Sequence, residues 1–481
     1  MPDRDKLVSG LEKRAPEFLR VITQVYNDDV TGRLVRLLRH FAERFPERRQ
    51  VSVLRAPGRV NLIGEHTDYN GLPVLPMAID HDMLVAFSPR EDLEVRVTNP
   101  EFPDRSFRIE EKIPSFETGD WGNYVKAGVQ GIVDEIGGAE GLRGFDACYF
   151  GDVPVGAGLS SSSTLVVASA MAVIGSSGLE LEPLALAERM AQAEWYVGTQ
   201  GGGMDHAVCI LSEKGKALKI DFFPLRVKPV GIPAGYTIVI ANSMVIADKT
   251  KNARMKYNRR PAECKAATAM LVKKLGLDKE KILRLGDIYF LLGRERTRAA
   301  LEETFTQHRY FKTEIAEFLG ISLLEVNSGI FTTKAGDLIE EPADGTRIGD
   351  RARHIVSEAA RVEDSVKAVE AGDGETFGRL MNESHESCRG LYKISHPALD
   401  ELVAVAREAG SAGSRLTGAG YGGCTVHLVP DSKVEHVLSS LKSRYFGDAI
   451  NHYPEAAERY RRIPERTLLA LRPSGGARVL F

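Results

Sequence analysis

The chain has 481 residues, 43% of them hydrophobic and 27% charged, with a formal net charge of −3. At roughly 100–200 residues per domain, that length predicts two or three domains with ample material for a core. The charge balance and the lack of a sustained basic tract exclude a general nucleic-acid binder, and no apolar run is long enough to span a membrane.

The start, Met1-Pro2-Asp3-Arg4-Asp5-Lys6, is charged and has no apolar signal region, so a cytoplasmic protein is expected. Cys148, Cys209, Cys264, Cys388 and Cys424 are scattered, with no C-x-x-C pair. They read as reduced, mostly buried thiols with no zinc site.

Leu19, Ile22, Val25 and Tyr26, then Leu34, Leu37, Leu38 and Phe41, recur at three- and four-residue steps. That spacing predicts two helices over about 16–49, broken near Asn27-Asp28-Asp29. A strand follows at 51–54. Next comes the stretch Arg55 to Gly71, whose second half holds Glu65, His66, Asp68 and Asn70. Two carboxylates, a histidine and an amide within six residues can hydrogen-bond a polyhydroxylated ligand, with Arg59 as a forked donor. The alternative is a polar turn whose side chains cap their own backbone. Residues 83–88 and 93–98 predict a hairpin around Pro89-Arg90-Glu91-Asp92. Trp121 and Tyr124 open a helix to about 136 and share a face, either as core or as a stacking platform for a base.

An apolar strand at 145–150 leads into Gly151-Asp152-Val153-Pro154-Val155-Gly156-Ala157-Gly158-Leu159-Ser160-Ser161-Ser162-Ser163 and then a helix at 165–173. Glycines let backbone approach an anion, and the first amides of a helix are unpaired at the positive end of its dipole. The loop therefore suits a phosphate cradle, though not a Walker loop, because no G-x-x-x-x-G-K-[ST] pattern occurs. A Gly/Ser linker or ordinary helix cap is the alternative. In the helix predicted at 184–197, Glu188, Gln192 and Tyr196 mark the wet face, and Glu194 falls nearly opposite, among Ala187, Met190 and Ala191. A carboxylate there needs a partner or a metal, unless the helix end frays and exposes it. Gly201-Gly202-Gly203-Met204-Asp205-His206 follows, as a backbone open to close ligand approach or as a turn with its own aspartate.

Strands are predicted at 217–220 and 236–241, then a helix at 249–277. Its basic face (Lys251, Arg254, Lys256, Arg259, Arg260) reads as solvated. Residues 279–350 alternate short helices with loops. Helices at 351–370, 376–388 and 397–409 lead to a second glycine-rich loop, Thr417-Gly418-Ala419-Gly420-Tyr421-Gly422-Gly423, which a bulge or hairpin turn would also explain. A helix at 434–445 and a strand at 468–471 complete the series.

Three of these stretches, in this order, carry a resemblance. Arg59 to Gly71 resembles the galactokinase signature. Gly156 to Ser163 resembles the ATP-phosphate motif of the galactokinase, homoserine kinase, mevalonate kinase and phosphomevalonate kinase (GHMP) superfamily. Thr417 to Gly423 resembles that superfamily's third motif. The resemblance runs from about 53 to 471, and the first motif is the most specific. Tyr196 to Asp205, Ser357-Glu358-Ala359-Ala360-Arg361-Val362, Ser414 to Gly420 and Leu319-Gly320-Ile321-Ser322 look closest to the N-acetylgalactosamine kinase branch.

The resemblance implies an α/β (α+β) chain with the two-domain GHMP kinase fold. A ribosomal-protein-S5-like N-terminal domain and a ferredoxin-like C-terminal domain would enclose the active site in their cleft. The expected divisions are a helical extension at 1–50, the N-terminal domain at 51–235 and the C-terminal domain at 236–481. It implies an ATP- and Mg2+-dependent sugar 1-kinase, acting as a monomer on small molecules without nucleic-acid or membrane partners. Galactose is the first expected substrate and N-acetylgalactosamine the alternative; a non-catalytic galactose/ATP sensor is a third possibility. Asp205 would be the base at the sugar C1 hydroxyl, and Arg59 would lie near both that aspartate and the moving phosphoryl group. Glu65, His66, Asp68, Gly203 and Tyr257 would hold the sugar. Gly156, Gly158, Leu159, Ser160, Ser161, Ser162 and Ser163 would wrap the phosphates, Trp121 would lie by the adenine, and Ser162 and Glu194 would hold the metal. Two departures stand out: His206 replaces the usual glutamine after Met-Asp, and Tyr257-Asn258 mixes features of the two branches.

Overall fold

A computed structural model describes every residue except 155, 199–201, 247–250 and 334–335, and no side chain of 251–254 or 466. Val155 of the phosphate-loop motif, Thr199-Gln200-Gly201 of the second glycine stretch, and the side chains of Lys251 and Arg254 lie outside the described residues. The chain opens with three helices, α1 (Arg4–Glu12), α2 (Pro16–Thr23) and α3 (Thr31–Arg44). The break at 27–29 is as expected; α1 is additional.

Five strands of the first sheet follow: β1 (Ser52–Ile63), β2 (Leu75–Pro89), β3 (Glu94–Asn99), β4 (Phe102–Arg108) and β5 (Phe145–Gly151), with α4 (Gly122–Ile136) before β5. Next come α5 (Ser161–Ser177), α6 (Pro183–Ala193), α7 (Met204–Leu211) and a small antiparallel pair, β6 (Ala217–Asp221) and β7 (Arg226–Val230). Beyond β8 (Tyr236–Asn242) lie α8 (Lys251–Leu275), four short helices, α9 (Leu285–Leu292), α10 (Arg294–Thr304), α11 (Lys312–Leu319) and α12 (Leu323–Gly329), then α13 (Ile348–Glu370), α14 (Gly374–Ser387) and α15 (Pro397–Glu408). The chain closes with β9 (Gly413–Leu416), β10 (Cys424–Pro430), α16 (Val434–Ser440), α17 (Pro454–Arg462), β11 (Leu468–Leu471) and β12 (Arg478–Val479).

The first sheet has the order β12-β1-β2-β5-β3-β4 and the second β11-β8-β10-β9. The expected hairpin of β2 and β3 does not form. Strand β5 lies between them, antiparallel to β2 and parallel to β3. Alternation along the strands builds two layers on the first sheet. Leu54, Val85, Phe87, Ala147 and Tyr149 pack with α4 and α5, whereas Val53, Leu84, Ala86 and Cys148 pack with Leu34, Leu37, Leu38 and Phe41 of α3. Covered on both faces, the sheet reads as near-continuous apolar runs.

The far half of β1 joins the two sheets. Val60 and Leu62 share a core with Ile238, Ile240, Val426 and Leu428 of the second sheet and with Val362 of α13. The other face of the second sheet packs Val239 and Ala241 on α15 and α16. All five cysteines are buried and unpaired. Among the described residues, no helix is long and apolar enough to cross a membrane.

Candidate active site

Strand β1 carries Arg59 to the point where the two sheets meet. Its guanidinium grips Asp205 with both arms, Nε to Oδ1 at 2.8 Å and Nη2 to Oδ2 at 3.0 Å. The third nitrogen donates to the Gly158 carbonyl, and the Ser160 hydroxyl donates to Asp205 Oδ2. Asp205 stands in the first turn of α7, behind Gly203, whose φ is +98°. Burial raises the pKa of its carboxyl, but Arg59 and Ser160 outweigh burial and the net shift is downward. The group stays charged near neutrality.

The residues of the first glycine-rich loop arrive as α5 begins. Ser160 caps the helix in the left-handed conformation at φ +61°, and Ser161, Ser162 and Ser163 form its first turn. The amides of that turn are the unpaired ones of a 17-residue helix, beside the Arg59–Asp205 pair. The third motif closes over the loop at backbone distance. A Cβ on Gly418 would come 2.9 Å from the Gly158 carbonyl, and one on Gly423 2.8 Å from that of Ala157. Only glycine fits there, which is why two glycine-rich loops so far apart in sequence belong to one site. At the outer end of the loop, a 280 Å³ pocket is lined by Phe102, Gly156, Ala157, Asn242, Met244 and Arg459, among others. Phe102 supplies its ring. Trp121 sits one layer behind, its indole N–H donating to the Pro103 carbonyl at 2.8 Å and its ring packed on Phe102 and Tyr149.

Helix α6 stops at Ala193 and tightens into a short 3-10 turn over Glu194–Val197. Glu194 is buried as its helix face foretold, and its Oε2 accepts from the Ser163 hydroxyl at 2.9 Å. The serine tied to Glu194 is therefore Ser163, while Ser162 stands one residue earlier and half-buried. His206 Nε2 lies 3.1 Å from the same oxygen, outside hydrogen-bond geometry. Among the described residues, no group of three or more His, Cys, Asp or Glu could hold a metal by itself.

The residues expected to hold a sugar follow β1. His66, at φ +63°, sits buried against the rings of Tyr69, Tyr257 and Tyr392. Its Nε2 faces the Ala419 carbonyl at 3.3 Å, an acceptor only, so Nε2 carries the proton and Nδ1 accepts from the Tyr69 hydroxyl at 2.9 Å. Burial pulls its pKa down to about 3, so the ring is neutral. Burial likewise pushes Asp68 up to about 6, helped by the charges of Asp205 and Glu65. The backbone of Gly202 lies against Asp68, since a Cβ there would come 2.3 Å from Oδ2.

Glu65 is the most engaged side chain. Its Oε1 accepts from Asn61 Nδ2 at 2.8 Å and the Gly418 amide at 3.1 Å, and its Oε2 from Arg415 at 3.0 Å. Three of a carboxylate's roughly four acceptor positions are thereby used, which leaves one for a ligand hydroxyl. Burial nevertheless leaves its pKa raised, against the pull of Arg415.

Local reading of the motifs placed Ser160 in the phosphate loop but did not foresee its bond to Asp205, nor Phe102 beside that loop, the pairing of Arg415 with Glu65, or the bonds of Glu358 and His354 in α13 to the backbone of 64–65. Glu358 carried the signal that exposed Glu194, a charge set between Ile355 and Val362 on an apolar helix face.

Comparison with known proteins gives the family of this chain and its fold. The galactokinase galactose-binding signature matches residues 39–89, the GHMP kinases N terminal domain 123–213 and the GHMP kinases C terminal domain 365–447. The galactokinase of Dictyostelium discoideum is 32% identical over 475 residues, covering 92% of this chain and 89% of that protein. The galactokinase of Roseiflexus sp. is 36% identical over 397 residues, covering 82% and 87%. The structure of Lactococcus lactis galactokinase complexed with galactose superposes with a TM-score of 0.70 at 27% identity, covering 92% of this chain and 98% of that one. The structure of L. major mevalonate kinase in complex with R-mevalonate shares the fold at a TM-score of 0.51 and 15% identity, covering 89% of this chain and 97% of that one. With its galactose-binding signature, both GHMP domains and two-domain α/β fold, this chain belongs to the galactokinase family of the GHMP kinase superfamily.

Proposed function

We propose that this protein transfers the γ-phosphoryl group of ATP to the anomeric C1 hydroxyl of galactose, giving α-D-galactose 1-phosphate and ADP. The observation that carries the proposal is the two-armed Arg59–Asp205 pair beside the opening turn of α5. Phosphoryl transfer through a loose transition state needs in-line placement and charge neutralisation more than covalent help. The amides of 161–163 and the Arg59 guanidinium supply positive charge where the phosphates would lie. Asp205 accepts a hydrogen bond from the C1 hydroxyl. Because its pKa is lowered, it orients that hydroxyl first and takes the proton late, as the new P–O bond forms. Asp68, His66, Glu65, Gly203 and Tyr257 hold the remaining hydroxyls, and the pocket beside Phe102 takes the base. Asp68 offers its carboxylate as acceptor and Tyr257 a hydroxyl that can donate, so donors and acceptors are mixed as a sugar requires.

The residues at Glu194 fit a Mg2+ ion carried in with the nucleotide. One carboxylate with serine hydroxyls beside it is the hard-oxygen set that Mg2+ uses when phosphates and water complete its shell. Glu194, with Ser162 and Ser163, would hold the ion, which would neutralise the β- and γ-phosphate charge.

A second reading, N-acetylgalactosamine as acceptor, is favoured by one feature. A 610 Å³ cavity walled in part by Gly202, Gly203, Tyr69 and Asn258 offers room for an acetamido group. A coupled ADP-release assay with galactose, N-acetylgalactosamine, arabinose, glucose and mevalonate decides between them. Galactose is expected to be the best acceptor, and turnover of mevalonate alone overturns the proposal.

A further inference from the structure

Every polar atom of Glu65 is held, and most of the holders come from the C-terminal half of the chain. Its amide and that of Gly64 donate to one carboxylate oxygen of Glu358, Oε1, at 3.3 and 2.9 Å. Its carbonyl accepts from His354 Nε2 at 3.1 Å, and the carbonyl fixes that tautomer, leaving Nδ1 to accept from the Ser387 hydroxyl at 2.8 Å. Its carboxylate accepts from Arg415 and from the Gly418 amide. Ser384 of α14 closes the ring. Its hydroxyl donates to Glu358 Oε1 at 2.5 Å, and its oxygen accepts from Arg415 Nε at 3.1 Å. Glu358, His354, Ser384 and Arg415 are all fully buried.

A buried carboxylate has to be paired, and Glu358 has a partner on its own helix, Arg361 at 2.8 Å. That pairing uses only Oε2. The other oxygen reaches across to main-chain amides 293 and 294 residues away. Those amides lie in a turn with two left-handed residues, Gly64 at φ +102° and His66 at φ +63°. A bulky residue such as histidine stays in that region only when its surroundings over-determine it. The Gly64 to His66 turn is also what directs Glu65, His66 and Asp68 toward the site.

We infer that Glu358, seconded by His354 and Ser384, is a positioning residue for sugar recognition, holding the Gly64–His66 turn in its binding shape from the opposite domain. It touches no substrate. The inference rests on the galactokinase reading for its kinetic consequence, though not for the contact itself.

Two variants test it, Glu358→Gln, which keeps the shape and removes the charge, and Ser384→Ala, which removes the bridge to Arg415. Bonds to a charged acceptor are about twice as strong as neutral ones, so Glu358→Gln is expected to raise the galactose KM about tenfold. Ser384→Ala is expected to raise it about threefold. The ATP KM and kcat should stay within about twofold of the parent in both, a split that a general loss of packing would not produce. Hydrogen exchange at the Gly64 and Glu65 amides should quicken in both variants by more than at the amides of β5, beyond what any fall in melting temperature gives to the whole chain. Unchanged exchange at those amides, or equal losses in galactose and ATP KM, would overturn the inference. If the parent protein does not turn over galactose at all, the proposed function fails, and the exchange measurement still decides the clamp.

Discussion

Replacing Asp205 by asparagine removes the charge at the centre of the site while keeping its shape. In the parent, Oδ1 and Oδ2 accept from Arg59 at 2.8 and 3.0 Å, and Oδ2 also accepts from Ser160. One of those oxygens becomes an NH2 group in the variant. The Ser160 hydroxyl can rotate to meet it, but the guanidinium has only donors and cannot. One strong contact is therefore lost. Breaking a buried ion pair by removing one partner costs about 3–5 kcal/mol, yet the Asp205 side chain is 26% exposed and Arg59 keeps the Gly158 carbonyl. The stability cost should therefore lie nearer 1–2 kcal/mol, and the variant should fold. Turnover should suffer far more. A positioned general base contributes about 10²–10⁴ in rate, about 3–5 kcal/mol at 1.36 kcal/mol per tenfold. The expected result is a kcat down by at least about 100-fold, with galactose affinity by calorimetry within a few-fold of the parent. A kcat within tenfold of the parent would remove Asp205 from the reaction. Loss of binding in step with turnover would make it a sugar holder instead.

Three further outcomes follow from the same geometry. Asp68 is protonated in the free protein below about pH 6 and cannot then accept from a sugar hydroxyl. The kcat/KM for galactose should therefore rise with pH up to about 6 and then level, with Asp205 adding no limb because its shift is downward; an acid limb that survives in Asp68→Asn would refute the assignment. Glu194→Ala should raise the Mg2+ needed for half-maximal rate by about 10- to 100-fold without altering galactose affinity, and an unchanged Mg2+ titration would leave Glu194 as no more than an acceptor for Ser163. Gly202→Ala would drive a Cβ to within 2.3 Å of Asp68 Oδ2; a forced overpacking of about 1–3 kcal/mol should appear as a galactose KM raised roughly 5- to 150-fold with the ATP KM nearly unchanged, and a normal galactose KM would show that the loop yields freely.

What could be read from the sequence is what leaves a compositional mark along the chain. Backbones that must touch require glycine, so the contacts of Gly418 and Gly423 with residues 157–158 appear as two glycine clusters, although nothing local says that they meet. A helix has a calculable face, so the burial of Glu194 was legible, whereas the Ser163 hydroxyl that donates to it comes from another helix and leaves no mark beside it in the sequence. Strand periodicity assigns faces and not neighbours, which is why β2 and β3 looked like a hairpin until β5 was found between them. The hardest features to foresee were those with main-chain partners. Glu358 binds amides, His354 a carbonyl and Arg415 both a carbonyl and a carboxylate, and an amide looks the same at every position of a sequence. The sugar motif at 65–68 is thus local in sequence but not in cause. The same burial that holds it makes His66 neutral and Asp68 weakly acidic, so the chemistry of the N-terminal motif is set in part by helices from the C-terminal half of the chain. Changes in α13 or α14 that alter sugar preference without touching the cleft are the expected consequence.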